Sequence, residues 1–598
     1  MDLNDSAAKQ ASMWQSRVVW VFFFVAYFAY LLLMSFYHKS SSDEGIYFYE
    51  TTRIAEGLLP VRDFFAPHPI LAYAPYALFV KILYPSLEAA RLFSVVALLA
   101  MAGMLSRLLY REFGFRYAAV GFLLLATNKM WLFYNIQVRH SAPATLGLFT
   151  AFFLLTTENR LTLWRIFLSG AFFGLAVNSR IPLVLLGAPL LWMVVTRHSV
   201  GRTFARDNAY LQFRKIGVFV AGVISMTSVS FYLFIIDPRA FAFNLVIHRL
   251  WESRYTNEGT YSFGDMLLSR FSAPWHFATW NTQNYLVVLL PIVLLLGVLV
   301  ISIIRTSQNS RNILGANATH ALVIIITVGI AYGVGDSFNP TYLHHTIPFF
   351  IFVLAALMSG IGARFFVNVG AVAYVRGVSL TPSSWYLVIP FLAVIALSAG
   401  IGGYYGASQV VNRNTSPSLK RVLPQVKVAC WIEANTDVGD VVLSWTGLPP
   451  AMADRQMPEG FEQAGYIGWA LWDKISDQDA AAFKVVTRDE IRTQLDLAAI
   501  AIVLDDDRMA DIAINNGFVD YRPLLRSRYV FYGTLSEQRI YVSPAFARSD
   551  SLSALPADPV LIPNRVRRAG SALAALPADL SHSIARLVGM NYGRRCAE

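Results

Sequence analysis

The sequence of 598 residues is poor in charge and in cysteine. Asp, Glu, Lys and Arg together make up 15% of the chain and apolar residues 56%, whereas soluble domains carry about 25% charged residues. This balance excludes an ordinary soluble globular protein and indicates a chain that crosses a membrane several times. Two cysteines, Cys430 and Cys596, exclude a disulfide framework and the Cys-rich metal motifs.

Positive charge is in excess, with 49 Lys and Arg against 38 Asp and Glu. In a soluble protein this excess would suggest nucleic acid. Here Arg and Lys concentrate in alternate short gaps between apolar runs, which is the pattern of cytoplasmic loops. We therefore expect no nucleic-acid partner, membrane lipids as the surroundings, and a multi-pass membrane protein with a cytoplasmic N-terminus.

The apolar runs predict an α-helical polytopic membrane protein with about eleven transmembrane helices within residues 1–404, because a helix satisfies its own backbone in lipid. The runs lie near 18–37, 89–108, 117–134, 141–157, 163–179, 181–196, 216–236, 284–304, 318–335, 345–363 and 385–404. An odd number of spans places the C-terminal region on the extracytoplasmic face.

Residues 405–547 predict a small extracytoplasmic α/β domain, since apolar runs shorten and charges return. A helix is expected over 419–434, and Thr487 with Glu490 predicts a capped helix. Strands are expected at 440–446, 498–504, 529–532 and 539–542, the last two around a turn at Gly533. Residues 548–598 read as a loosely ordered basic tail.

The loop at 38–88, called the first loop below, carries an adjacent acidic pair, Asp43 and Glu44, directly after the first apolar run. Ser41 and Glu44 have capping-box spacing and predict a helix from about 44 to 56. A second helix at the membrane interface is expected over 70–84. Ionisable residues at a membrane boundary are functional candidates, although both acids would also suit a helix start alone.

The first loop resembles the first periplasmic loop of GT-C glycosyltransferases, in the branch of protein O-mannosyltransferases and bacterial aminoarabinose transferases. The matching residues are Asp43-Glu44, Ala55-Glu56-Gly57, Arg62-Asp63-Phe64-Phe65 and Pro67-His68-Pro69. Looser matches are Asn178-Ser179-Arg180, Asp237-Pro238-Arg239-Ala240-Phe241, and the stretch from Tyr342 to Pro348. The resemblance implies a GT-C fold, a polyprenyl-phosphate sugar donor, a glycan, lipid or protein acceptor, and one inverting displacement. It also implies a location in the bacterial inner (plasma) membrane, with the reaction on the extracytoplasmic face.

Under this resemblance Asp43 is the candidate general base, and Glu44 assists or positions it. The candidates for binding the lipid phosphate are Arg62, His68, Arg139, Arg180, His344 and His345. Arg180 could instead snorkel from a helix end, and the two adjacent histidines could be neutral interface residues. No cofactor is certain. A divalent metal would require Asp43 and Glu44 to meet His344 or His345.

The sequence also departs from the resembling families. His140-Ser141-Ala142 follows Arg139 without the acidic residue that relatives often carry, and His68 stands nearest to the lipid-phosphate lysine of aminoarabinose transferases. The donor sugar is therefore not carried over.

The alternative function is a transporter or flippase of a lipid-linked or cell-envelope intermediate. Such proteins usually place polar sites near the bilayer midplane within repeated halves. Here the polar cluster is at a boundary and we find no repeat.

Overall fold

The computed structural model describes residues 3–38, 40–83, 86–158, 161–196, 209–248, 315–333, 340–359, 422–462, 475–515, 517–536 and 538–548, with residues 552 and 555. The expected spans at 284–304 and 385–404 lie outside these residues. So do the expected domain boundary near 404–405 and the tail beyond residue 548, apart from the two residues named.

The described residues of the N-terminal part of the chain are mainly helical. The helices are α1 Leu3–Tyr37, α2 Ser42–Ala55, α3 Ala74–Leu83, α4 Leu87–Phe113, α5 Phe115–Ala126, α6 Lys129–Ile136, α7 Ser141–Thr156, α8 Leu163–Ser179, α9 Gly187–Thr196, α10 Ala209–Ile236, α11 Pro238–Ala242, α12 Ala316–Gly333 and α13 at 347–359. Short 3₁₀ segments occupy Ile70–Ala72, Ile181–Leu186 and Pro340–Thr346, and a π-helical turn occupies Phe243–Ile247.

Four helical stretches among the described residues are long and apolar enough to cross a membrane: Val18–Phe36, Leu87–Phe113, Tyr210–Ile236 and Tyr342–Ser359. The first and third bury few of their residues inside the protein, as helices facing lipid do. Further apolar helices are shorter than this limit. The chain is thus a helical membrane protein, and about eleven spans stays a prediction.

Two expected spans are not single α-helices. The stretch 117–134 divides into α5 and α6, because the Asn128 side chain accepts the Trp131 N–H at 2.9 Å and starts a new helix. The stretch 181–196 begins as a 3₁₀ segment carrying Pro182 and becomes α9 only at Gly187. A continuous run of apolar residues in the sequence does not show where a helix is interrupted.

Close packing between α8 and α10 positions the C-terminal end of α8. A Cβ at Gly170 would lie 2.0 Å from the Phe219 carbonyl oxygen of α10, and one at Gly222 would lie 2.1 Å from that of Phe167. Small residues let the two backbones approach this closely. The Asn178 Oδ1 accepts hydrogen bonds from the Ser230 hydroxyl at 2.8 Å and from the Leu71 N–H at 3.4 Å. The second bond connects the end of α8 to the first loop.

The C-terminal domain, residues 422–548 where described, is α/β as expected. Its elements are α14 Val422–Asn435, β1 Val442–Ser444, α15 Leu448–Met452, α16 Asp477–Phe483, α17 Arg488–Asp496, β2 Ile502–Asp505, α18 Asp507–Asn515, α19 Tyr521–Arg528, β3 Val530–Leu535, β4 Gln538–Val542 and α20 Pro544–Ala547. The strand order is β1-β2-β4-β3, with β1 and β2 parallel and the other pairs antiparallel.

The capping box at Thr487 and Glu490 is confirmed, since each side chain satisfies the other's backbone N–H. The expected turn at Gly533 is wrong. Gly533 lies inside β3, where the register with β4 shifts, and its φ of +153° marks this irregularity. The hairpin turns instead between Leu535 and Gln538, where Ser536 has a φ of 52°.

Candidate active site

Asp43 lies in the first turn of α2, at the edge of the helical part. The Ser41 hydroxyl caps this helix by accepting the Glu44 N–H at 3.2 Å. The Asp43 carboxylate forms an ion pair with the guanidinium of Arg139, which precedes α7. The Asp43 side chain is 51% exposed while that of Arg139 is 13% exposed. The solvent-accessible Asp43 carboxylate is therefore paired with the mostly buried guanidinium of Arg139.

Glu44, the next residue, is fully buried. Its two carboxylate oxygens accept hydrogen bonds from the Arg91 guanidinium of α4, one from Nε at 2.7 Å and one from an Nη at 2.6 Å. Neither side chain is exposed. The same carboxylate accepts the Val138 N–H at 2.9 Å. Arg91 also donates to the carbonyls of Ser35 and His38 at the end of α1. Glu44 thus joins α1, α2, α4 and the Arg139 segment.

His68 meets α2 through Tyr47, one turn after Asp43. The Tyr47 hydroxyl lies 2.5 Å from His68 Nε2 and 2.7 Å from His140 Nδ1, and the two imidazoles stack with centroids 4.8 Å apart. A phenol has one proton, so it donates to one ring and accepts from the other. Burial lowers the pKa of His140 well below its usual range, and the nearby Arg180, His68 and Arg139 act in the same direction.

Arg180 caps the end of α8 and reaches across to the segment before α13. Its guanidinium carbon lies 3.9 Å from the centroid of the Tyr342 ring and 5.0 Å from that of Tyr332. Both distances are in the range of cation–π contacts. Two aromatic faces therefore hold the guanidinium.

The two adjacent histidines pack into the same region. His345 Nδ1 lies 2.5 Å from the Thr145 hydroxyl of α7, and its ring stacks on Tyr332 at 6.0 Å. His344 stacks on Tyr134 at 5.1 Å, and the Arg139 guanidinium lies over that same ring at 5.5 Å. The shared aromatic partners connect Arg139, Arg180 and this histidine pair.

The structure therefore brings together most of the residues that the sequence indicates. We call this group the cationic cluster after its two guanidinium groups: Arg139 and Arg180, with the imidazoles of His68, His140, His344 and His345, and with Asp43 at its edge. Among the described contacts none joins Arg62 to the cluster. Its guanidinium makes a bidentate pair with Asp63, at 2.7 and 2.6 Å, and is 47% exposed.

Sequence reasoning missed Arg91, Tyr47, Tyr342 and Tyr332. An Arg inside the apolar stretch near 89–108 was a usable signal, because such a charge requires a buried partner. The tyrosines gave no such signal, since aromatic residues are common along membrane interfaces. His140 was visible only as a neighbour of Arg139.

The side chains around Asp43 do not fit a metal site. Glu44 is occupied by Arg91 and Val138, and His344 and His345 face aromatic rings. Among the described residues, no group of three or more His, Cys, Asp or Glu is placed to hold a metal ion. What the cluster offers chemically is a set of N–H donors and cations beside one accessible carboxylate, which suits a phosphate.

Comparison with known proteins agrees with this architecture. Residues 67–226 match the family model of dolichyl-phosphate-mannose-protein mannosyltransferase. No curated protein sequence matches the chain. The crystal structure of ArnT from Cupriavidus metallidurans in the apo state aligns with a TM-score of 0.58 and 14% identity over 90% of this chain and 100% of that chain.

The same ArnT bound to undecaprenyl phosphate aligns with a TM-score of 0.59 and 15% identity, over 90% of this chain and 99% of that chain. The alignment spans both the helical part and the C-terminal domain, because it covers nearly the whole of each chain. The chain therefore has the GT-C glycosyltransferase fold.

Proposed function

We propose that the protein is an integral membrane glycosyltransferase that moves one sugar from a polyprenyl-phosphate donor to an acceptor hydroxyl on the extracytoplasmic face. The acceptor is a glycan, a lipid or a protein. The observation that carries this proposal is the Asp43–Arg139 ion pair at the edge of the cationic cluster. It places a carboxylate beside groups suited to a phosphate, and the ArnT structure that matches this fold binds undecaprenyl phosphate.

Each side of the pair has a distinct task in an inverting displacement. The acceptor oxygen attacks the anomeric carbon while Asp43 takes the proton of the acceptor hydroxyl. The bond from the anomeric carbon to the phosphate oxygen breaks, and negative charge develops on the leaving lipid phosphate. Arg139 and Arg180 stabilise that charge, since cations held in place beforehand act most strongly where charge develops.

Donor binding would also change the contacts of Asp43. The Asp43 carboxylate is engaged by the Arg139 guanidinium in the structure. A donor phosphate competes for the same guanidinium. Asp43 is then released toward the acceptor only when the donor is in place, which limits proton transfer to the loaded enzyme.

Glu44 has a positioning task in this proposal. Both of its oxygens are occupied by the Arg91 guanidinium, and the pair is fully buried. The pair sets the start of α2 against α4, and therefore sets where Asp43 lies.

The test is transfer of a radiolabelled sugar by the full-length, detergent-purified protein, offered a panel of polyprenyl-phosphate sugars. Asp43→Asn should lower kcat by about 10²–10⁴-fold, the usual contribution of a general base. Its KM for the donor should not rise, because Arg139 stays available to the phosphate.

Asp489→Asn is the matched control, since Asp489 also lies exposed in the first turn of a helix, α17, far along the chain. It should transfer sugar at the wild-type rate. Wild-type turnover by Asp43→Asn would reject the assigned base. Movement of the labelled donor across reconstituted vesicles with no transfer would support the transporter alternative.

A further inference from the structure

Two neighbouring residues in the first turn of α2 face different parts of the molecule. Glu44 contacts the helical part through Arg91. Gly45 contacts the C-terminal domain, where it packs against the segment that follows β1, from Thr446 to Leu448. Asp43 directly precedes both contacts. The position of its carboxylate thus depends on two separate bodies of the fold.

The contact at Gly45 has no room for a side chain. A Cβ there would lie 2.0 Å from the Thr446 carbonyl oxygen, 2.9 Å from Leu448 Cβ and 3.1 Å from the Leu448 nitrogen. Two of these three atoms belong to the backbone, so a small side-chain movement does not relieve the clash. Close approach of two backbones is one of the main reasons for a glycine within a helix.

The partner segment is shaped for this approach. Gly447, the residue before α15, has a φ of +62°, and a Cβ built on it would be 3.4 Å from the Gly45 carbonyl oxygen. A left-handed residue with no side chain turns the chain sharply beneath α2. The two glycines therefore face each other across the contact.

The same face of α2 continues the contact over two further turns. The Tyr49 hydroxyl accepts the Met457 N–H at 2.8 Å. Arg53 donates to the Tyr49 hydroxyl at 3.0 Å and to the Arg455 carbonyl at 3.4 Å. Gly45, Tyr49 and Arg53 are spaced by four residues, which places them in one row along the helix.

On the C-terminal-domain side of this contact, the segment around Arg455 is held by hydrogen bonds. The Arg455 guanidinium is buried and donates to the Thr436 hydroxyl at 2.6 Å and to the Ala453 carbonyl at 2.7 Å. The bond to Thr436, the residue after α14, connects the Arg455 segment to the end of that helix. The row on α2 thus contacts a segment that is hydrogen-bonded to the rest of the C-terminal domain.

We propose that the C-terminal domain positions the catalytic carboxylate, and that Gly45 is the positioning residue through which it does so. This inference rests on the proposed function, in which Asp43 is the general base. Displacing α2 from the C-terminal domain moves Asp43 while leaving Arg180 and its aromatic partners in place, because those residues lie on α8, α12 and the segment before α13.

The experiment compares the full-length wild-type protein with Gly45→Ala, Tyr49→Phe and Gly439→Ala. Gly45→Ala should lower kcat at least about 10-fold with the donor KM within about twofold, since a misplacement near 1 Å is known to cost up to about 100-fold. Tyr49→Phe removes only a hydroxyl and should lower kcat less. Gly439→Ala lies in the same domain with nothing within 4 Å of its Cβ, and should behave as wild type.

Hydrogen exchange gives a second measurement that needs no activity. The amides of α2 should exchange faster in Gly45→Ala than in wild type, while those of α4 and α8 stay protected. Wild-type kcat and wild-type exchange in both Gly45→Ala and Tyr49→Phe would overturn the inference. A raised donor KM at unchanged kcat would also overturn it, because the contact would then serve the phosphate rather than the carboxylate.

The outcomes separate the two proposals. If Gly45→Ala does not fold, Tyr49→Phe decides through the same two measurements. If wild type transfers no sugar from any donor, the proposed function fails, and exchange in α2 still decides whether the C-terminal domain holds this helix.

Discussion

Glu44 and Arg91 form a bidentate ion pair in which neither side chain is exposed, although the residues are 47 positions apart. Arg91 also donates to the carbonyls of Ser35, in the last turn of α1, and of His38, which follows this helix, so it satisfies acceptors that a helix end leaves without partners. A pair of this kind is sensitive to the loss of one partner, because the remaining charge is then buried alone.

Replacing Arg91 should therefore destabilise the protein strongly. Arg91→Met leaves the Glu44 carboxylate without its counter-charge, and the expected loss is about 3–5 kcal/mol of unfolding free energy. Thermal unfolding in detergent measures it. Arg165→Met is the control, since Arg165 pairs with a half-exposed Glu158, and such pairs contribute about 0–1 kcal/mol. Equal melting temperatures for both variants would contradict the role assigned to the pair.

Arg180 should contribute more to donor binding than to the chemical step. Arg180→Ala removes a cation and its donors from the cationic cluster, and each charged hydrogen bond contributes about 1.5–3 kcal/mol. The donor KM should rise at least about 10-fold with a smaller fall in kcat. Arg62→Ala should keep the wild-type KM, because Arg62 is engaged by Asp63. An unchanged KM for Arg180→Ala would return this residue to a snorkelling role.

The aromatic contact of Arg180 can be separated from the hydroxyl of its partner. The guanidinium carbon lies 3.9 Å from the centroid of the Tyr342 ring, and a cation–π contact is worth about 0.5–2 kcal/mol. Tyr342→Phe keeps the ring and should keep the donor KM. Tyr342→Leu should raise it by about 2- to 30-fold. The same KM for both variants would show that the ring face does not position Arg180.

Glu462 should make the stability of the C-terminal domain depend on pH. Burial raises the pKa of this carboxyl to about 7. The unfolded residue ionises near pH 4.5, so the folded state binds more protons between these two values. Stability then falls as pH rises from about 4.5 to about 7 and changes little above that.

Glu462→Gln should remove this part of the pH dependence. Unfolding midpoints from pH 5 to 8 would therefore change less in the variant, and the variant should be the more stable protein at pH 8. Glu459→Gln is the control, since the Glu459 side chain is 77% exposed. Parallel curves for wild type and Glu462→Gln would contradict the burial effect.

Local features of this protein were predictable because they depend on neighbouring residues. Apolar runs marked α1, α4, α7 and α10, since each must bury its backbone polar groups in a helix. The capping patterns at Ser41 and Thr487 marked the starts of α2 and α17. The resemblance of the first loop indicated the GT-C fold, because it rests on particular residues rather than on hydropathy.

The sequence predicted residues of the candidate site but not which of them contact one another. Arg139, Arg180 and the histidine pair were noticed because charge is unusual at the ends of apolar runs. That His68 joins them through Tyr47, while Arg62 turns to Asp63, depends on the direction of each side chain from its element. A hydrophobic pattern gives the face of a helix that is buried but not the helix that covers it.

The sequence by itself determined that the chain is a helical membrane protein with a small α/β domain, since composition and local periodicity set both. Only the tertiary structure decided which charges meet. It buried Glu44 against Arg91, left Asp43 accessible beside Arg139, and placed Gly45 against the C-terminal domain. These three neighbours have different partners because successive residues on a helix point about 100° apart, and each meets whatever the fold has packed on that side.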